Sequence, residues 1–429
     1  MAEIKAFRGM RYNTERAGKL DELCCPPYDI ISEKERKNYL AQNKYNVIRL
    51  ELPKEGDDVY KTAGEVLDRW REKGILIHED KPAVYIYEEE FNAYNTRRSI
   101  KGLIARVKVE EFSKGVILPH EFTLSKAKAD RFNLMKATNC NFSQIYALYM
   151  DEEHTTLSTI DELSKRKPDA KFTDGDHVTH RLWIVTDEEA IAKLTADFAD
   201  RKLYIADGHH RYETALNYRN YCRENGISKE GDAQDYQMMF LMDMEHPGLV
   251  VFPTHRMVRD LPKFDRDKIL DGCEEYFDIK AFDSVSHMNE LLHAEYKKGS
   301  KSFGFYCGKG EWYLLTLKDI GVMKQELPNL SEASQQLDVS VLHTLILEKI
   351  LGIDKENMAA QINLTYTKFF EEAIMGVDKG EFQCSFILNP TRVTEIRDVA
   401  AEGEKMPQKS TYFYPKMTTG MVMNDIGVE

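Results

Sequence analysis

Asp207-Gly208-His209-His210-Arg211 gathers a carboxylate, two imidazoles and a guanidinium around one glycine. The apolar Leu203-Tyr204-Ile205-Ala206 precedes it, and a run through Ala215, Leu216 and Cys222 to Gly226 follows. A strand that turns into a helix at a glycine can seat a phosphate. The glycine lets the backbone approach the ligand, while the helix start presents N–H groups and the positive end of its dipole. Arg211 adds a fixed charge, His209 and His210 add donors, and Asp207 adds a metal or proton partner. Taken singly, Asp-Gly is an ordinary turn and a His near a helix start is a cap or a core residue. Five such residues at one junction point to function. Adjacent histidines diverge by about 100° around a helix, so a shared zinc is disfavoured. The expected metal is Mg²⁺, brought by a nucleotide and touched by Asp207.

Two further groups complete the chemistry. Pro119-His120-Glu121 offers a carboxylate at a turn, which alone reads as a solvated loop end. Beside a phosphate cradle, Glu121 is a candidate general base for an attacking hydroxyl. Met406-Pro407-Gln408-Lys409-Ser410-Thr411-Tyr412-Phe413-Tyr414-Pro415-Lys416 offers one cation and two hydroxyls in Lys409, Ser410 and Thr411, a set suited to a carboxylate or a phosphate. It reads equally as an ordinary loop. Arg97-Arg98 and the stretch from Lys126 to Arg131 read as solvated faces unless the fold brings them to the cleft, and the roles of Cys25 to Asp29 and of Asp130-Arg131 stay open.

The elements that must position these residues alternate between strand and helix patterns, a mixed α/β chain. Asn46 to Leu52 reads as extended, Asp57 to Lys73 as a helix, and Ala83–Glu88 and Lys101–Val109 as strands. A polar helix is expected over Lys126–Ala137, and strands over Ser143–Tyr149, Leu182–Val185 and Met238–Met242. Gly248 to Arg256 is apolar and ends in Thr254-His255-Arg256. Val339–Leu351 reads as a helix stopping at Gly352, and Cys384–Leu388 as a strand. Three regions follow: 1–115, 116–260 with most of the unusual residues, and 261–429, with no internal repeat.

Composition narrows the class. The 429 residues are 42% hydrophobic and 31% charged, ordinary for a globular protein with large cores. A net charge of −13 argues against holding nucleic acid through its phosphates. No stretch approaches a membrane span and Met1 to Arg8 lacks an apolar leader, so a cytoplasmic protein is expected. The seven cysteines are scattered without a CxxC, which fits reduced thiols. Cys24-Cys25 reads as a loop feature.

Asp207-Gly208-His209-His210-Arg211, with Pro119-His120-Glu121 before it and Lys409-Ser410-Thr411 after it, resembles the motifs of free L-serine kinases, whose catalytic core is ParB/sulfiredoxin-like. The chain from Phe7-Arg8-Gly9 through Cys25-Pro26-Pro27-Tyr28-Asp29 to Tyr414-Pro415 also resembles a widespread domain-of-unknown-function family linked to serine kinases. The resemblance implies a ParB/sulfiredoxin-like nucleotide-binding core in 116–260, flanked by N- and C-terminal α/β elements. It implies phosphoryl transfer from ATP, ADP or pyrophosphate, with Mg²⁺, to free L-serine, giving O-phospho-L-serine. Glu121 would take the serine proton. Asp207, Gly208, His209, His210 and Arg211 would hold the phosphates and steady the transferring group, and His120, Lys409, Ser410 and Thr411 would lie near the serine. Glu121 and Asp207 are 86 residues apart, so an inserted element must be accommodated. The alternatives are a ParB-like nucleotide switch without kinase activity, and a metal-dependent phosphohydrolase using Asp207, His209, His210 and His255.

Overall fold

The alternating strands Val84–Ala93 and Thr96–Lys108 pair as a hairpin. Tyr94 and Asn95, both at positive φ, form its two-residue turn, the backbone twist that suits a tight hairpin. Around it, in a computed structural model that describes residues 1–123 and 125–428, a mixed nine-stranded sheet assembles. Its order is Ile117–Leu118, Leu203–Asp207, Ile145–Tyr149, Tyr236–Asp243, Thr96–Lys108, Val84–Ala93, Thr179–Val185 and Ala170–Thr173, with Ile4–Lys5 also paired to Thr96–Lys108. Leu203–Asp207 runs parallel to Ile117–Leu118 and antiparallel to Ile145–Tyr149.

One face of this sheet buries Val84, Ile86, Leu103, Ala147 and Leu241 against Leu194, Phe198 and Tyr212 of the covering helices. Across the other face runs a row of rings: Tyr146 to Phe240 at 5.3 Å, Phe240 to Tyr87 at 5.8 Å, Tyr87 to His180 at 6.1 Å and His180 to Phe172 at 4.5 Å. Gly102 makes room for it, since a Cβ there would stand 2.7 Å from the Phe240 ring. His180 is held by Asp174 at 3.0 Å and lies 3.3 Å from Glu89. Burial opposes its charge, but the bonds to Asp174 and Glu89 prevail and raise its pKa to about 9.

Packing divides the chain into two compact units. The first comprises Met1–Pro119, Thr123–Val250 and Pro415–Glu429 and contains the nine-stranded sheet; the second comprises His120–Phe122 and Val251–Tyr414. This division follows packing, whereas the regions 1–115, 116–260 and 261–429 are a reading of the sequence. In the second unit six antiparallel strands lie in the order Phe277–Phe282, Trp312–Leu317, Ser302–Tyr306, Cys384–Ile387, His255–Val258 and Leu364–Thr367. Met288 and Leu292 of Val285–Lys298, and Ala373 and Val377 of Phe370–Asp378, bury Trp312, Leu314 and Met257.

The expected helices at Val59–Glu72 and Ser125–Thr138 are present, the first capped by Asp58. Asn46–Leu52 is not extended: Ile48–Glu51 is a helical turn. The Asn46 side chain accepts from the Ile48 amide at 2.9 Å, starting the turn, and Glu51 is buried along with Ile48 and Leu50, so the apolar-polar alternation from Ile48 to Leu52 does not separate two faces of a strand. The run expected as one helix over Val339–Leu351 begins as α at Asp338–Val341 and widens to a π-helix over Leu342–Ile350, ending before Gly352 at φ +68°. All seven cysteines are free thiols, six of them buried. No helix among the described residues is long and apolar enough to cross a membrane.

Candidate functional site

Leu203–Asp207 is buried as far as Ala206, and its register against Ile145–Tyr149 shifts between Ile205 and Asp207. Such a bulge re-aims the last side chain of a strand. Gly208 follows at φ +96°, ψ 27°, the left-handed region that glycine enters at least cost, and His209–Glu224 begins as a helix. The positive end of that helix dipole therefore sits at Gly208.

Asp207 is flanked by two cations. Its Oδ2 lies 2.8 Å from Arg211 Nη2, and its Oδ1 contacts Lys416 Nζ. Burial alone would raise its pKa, but Lys416 and then Arg211 outweigh it and hold the carboxyl well below the usual range. Arg211 is clamped further by its Nη1 donating to the Gln144 carbonyl at 2.5 Å. The turn thus carries one carboxylate, two fixed cations and a dipole end, a net positive seat. His209 is buried and His210 half-buried beside it.

The sequence reading missed Lys416 as a member of this site, because it stands 209 residues from Asp207. It read Arg131 as solvated unless the fold brought it inward, and the fold does so. Arg131 is buried, donates to the Glu51 carbonyl at 2.6 Å and to Asp130, and stacks on the Tyr28 ring at 4.0 Å. Its helix packs inward at that position, whereas Arg97 stays exposed. Glu51, Arg131 and Arg211 line a small cavity of about 30 Å³ behind the turn. Burial raises the Glu51 pKa against the opposing pull of Arg131 and Arg211.

In the second unit, Glu121 and Met406 form a β-bridge, with the Met406 amide donating to the His120 carbonyl at 2.8 Å. That bridge brings the two distant segments together. The Lys409 amide donates to Glu121 Oε1 at 3.3 Å, with Lys409 itself in the left-handed region at φ +58°. His120 is buried and its Nε2 lies 3.1 Å from Thr411 Oγ1. Ser410 is buried and its hydroxyl donates to the Pro407 carbonyl, which closes the turn. Glu121, His120, Lys409 and Thr411 therefore form one cluster, and Asp207 to Arg211 form another in the first unit.

The residues of the turn fit an anionic group better than a protein-held metal. Both Asp207 oxygens face cations, and among the described residues no group of three or more His, Cys, Asp or Glu is arranged to hold an ion. His255 accepts from the Leu388 amide at 3.2 Å, and burial followed by the neighbouring Arg256 charge pushes its pKa down to about 3.

A family model described as a protein of unknown function (DUF1015) matches residues 4–340. Among solved structures, a mutant free serine kinase in complex with AMP is similar over 73% of this chain and 91% of that chain, at 12% identity and a TM-score of 0.37. A conserved hypothetical protein from Pyrococcus furiosus is similar over 73% and 94% of the two chains, at 14% identity and a TM-score of 0.35. SbnI with a C-terminal truncation, from Staphylococcus aureus, is similar over 74% and 85%, at 10% identity and a TM-score of 0.34. Likeness at that level carries no structural or functional argument. No curated protein matches the sequence.

Proposed function

Because the chain belongs to the DUF1015 family of proteins of unknown function, we propose its activity from the chemistry of its own residues: a kinase that transfers a phosphoryl group from a nucleotide or pyrophosphate to the hydroxyl of free L-serine. The observation that carries this reading is the Gly208 turn, where Lys416 and Arg211 over-neutralise Asp207 at the start of a sixteen-residue helix. The motif resemblance to free L-serine kinases, and the ParB/sulfiredoxin-like core it implies, supports the choice of acceptor.

The bound donor supplies the phosphoryl group, with any Mg²⁺ carried on its phosphates. Arg211, Lys416 and the helix start hold negative charge at the turn, and His209 and His210 add donors there. Glu121 takes the proton of the acceptor hydroxyl, while Lys409, His120 and Thr411 orient the amino acid. Phosphoryl transfer depends mostly on such positioning and charge neutralisation, so this set of residues is sufficient. The protein is cytoplasmic in this reading and needs no nucleic acid or membrane.

The test is to incubate the full chain with Mg²⁺ and serine, adding ATP, ADP or pyrophosphate in turn, and to follow O-phosphoserine by mass spectrometry. Product with one donor is expected. Nucleotide binding without product from any donor sinks the kinase reading and favours a nucleotide switch.

A further inference from the structure

The π-helix Leu342–Ile350 forms part of the wall of a cavity of about 360 Å³ within the second unit. That volume lies in the range of small-molecule sites. Leu327, Leu330 and Met358 make much of the lining apolar, and Phe122 stands among the lining residues.

Two polar groups interrupt this lining. The Tyr366 hydroxyl is buried and has no hydrogen-bond partner among the described residues. His343 is buried, and its Nε2 accepts from Arg256 Nε at 3.3 Å. A ring that accepts at Nε2 carries its proton on Nδ1, so His343 is a neutral donor at its other edge. Burial, and then the Arg256 charge, keep it neutral by holding its pKa well below the ordinary value.

Arg256, the donor to His343, is wholly buried, and its guanidinium stands over the Tyr366 ring, 5.3 Å from the ring centre. Its other acceptors are the carbonyls of Thr254 and Lys409. Every one of these partners is neutral, and among the described residues no carboxylate pairs with Arg256. A buried guanidinium without a counter-charge is costly, and it biases any ligand nearby toward negative charge.

We propose that this cavity binds a small amphipathic carboxylate. Its hydrocarbon part packs on Leu327, Leu330 and Met358, and its carboxylate accepts from the Tyr366 hydroxyl and His343 Nδ1 while balancing Arg256. The Arg256 contact to the Lys409 carbonyl places this ligand near the segment whose amide reaches Glu121, yet binding itself needs no phosphoryl transfer.

The test is calorimetric titration of the full chain with octanoate, with 1-octanol and octylamine as comparison arms. Octanoate is expected to bind at one site, with 1-octanol and octylamine each roughly tenfold or more weaker, the discrimination worth a charge-assisted hydrogen bond. Tyr366→Phe removes only an unpartnered hydroxyl, so it is expected to leave the unfolding midpoint unchanged and to weaken octanoate about tenfold. No octanoate binding, equal binding of octanoate and 1-octanol, or an unaltered Tyr366→Phe affinity each overturns the proposal. Since the readout is binding alone, absence of phosphoserine in the kinase assay leaves it standing.

Discussion

Gly208→Ala strikes the proposed anion seat at its most constrained point. Gly208 sits at φ +96°, and a non-glycine residue in the left-handed region costs about 1–2 kcal/mol. The new Cβ would also stand 3.0–3.1 Å from the Arg211 guanidinium. That group has little freedom to yield, being bound to Asp207 at 2.8 Å and to the Gln144 carbonyl at 2.5 Å. Losing one of those bonds adds about 1 kcal/mol, for a total of about 2–3 kcal/mol. Gly226, past the other end of the same helix, supplies the control. Its φ is +67° but nothing lies within 4 Å of a Cβ there, so alanine pays only the backbone cost of about 1–2 kcal/mol. Urea unfolding of both variants, with ADP affinity by calorimetry, separates the contributions. Gly208→Ala is expected to be the less stable and to bind ADP at least tenfold more weakly, with Gly226→Ala unaffected in affinity. Equal stability losses and equal ADP affinities in the two variants would refute the reasoning.

Glu121→Gln is expected to cut phosphoserine formation by about 10²- to 10⁴-fold with ADP affinity retained; a parallel loss of affinity, read by calorimetry, argues against a base. Lys416→Met should lower both ADP affinity and stability. Because Asp207 is depressed in the folded protein, the stability its pairing confers is full above the unfolded carboxylate value of about 3.9 and is lost as pH falls toward the folded value. The gap between wild type and Lys416→Met in urea midpoint should therefore be constant from pH 5 to 7 by the same linkage and narrow in stronger acid. His180 has the opposite sign: its folded pKa is raised to about 9, so the contribution of its charge is full below about 6.5 and lost as pH rises through 9. Asp174→Asn should accordingly destabilise most at pH 6 and least above pH 9 or so, measured by urea midpoints, and a pH-independent effect counts against a charged His180.

Local signals made the turn readable. Apolar residues to Ala206, glycine at the change of direction and a glycine after the helix announce Leu203–Asp207 and His209–Glu224 without any tertiary information. The same holds for the hairpin strands, where alternation matches the pleat. Lys416 was out of reach because its role is an ion pair closed over a long chain separation, and nothing near Pro415 marks it. Arg131 stayed open for a related reason: a charged residue on a polar helix looks solvated until Glu51 and Tyr28 arrive to bury it. Asn46–Leu52 shows the limit of periodicity, since the alternation from Ile48 to Leu52 matches a strand while the chain there makes a helical turn that buries Glu51 as well as Leu50. The widening of Leu342–Ile350 into a π-helix leaves no mark in a pattern that reads as an ordinary apolar helix.

The stretch from Pro415 onward belongs to the first unit although the whole of Val251–Tyr414 is synthesised before it. Met423 pairs with Met10, Asn424 and Asp425 with Asn141 and Cys140, and Lys416 with Asp207. A nascent chain thus carries Asp207 through the synthesis of 209 further residues, about half of the chain, before its lysine exists. At roughly 5–20 residues per second, the ribosome imposes a delay of several seconds or more on completion of this unit. Closure of the Asp207–Lys416 ion pair is in this sense timed by elongation, arriving only once translation has passed Lys416.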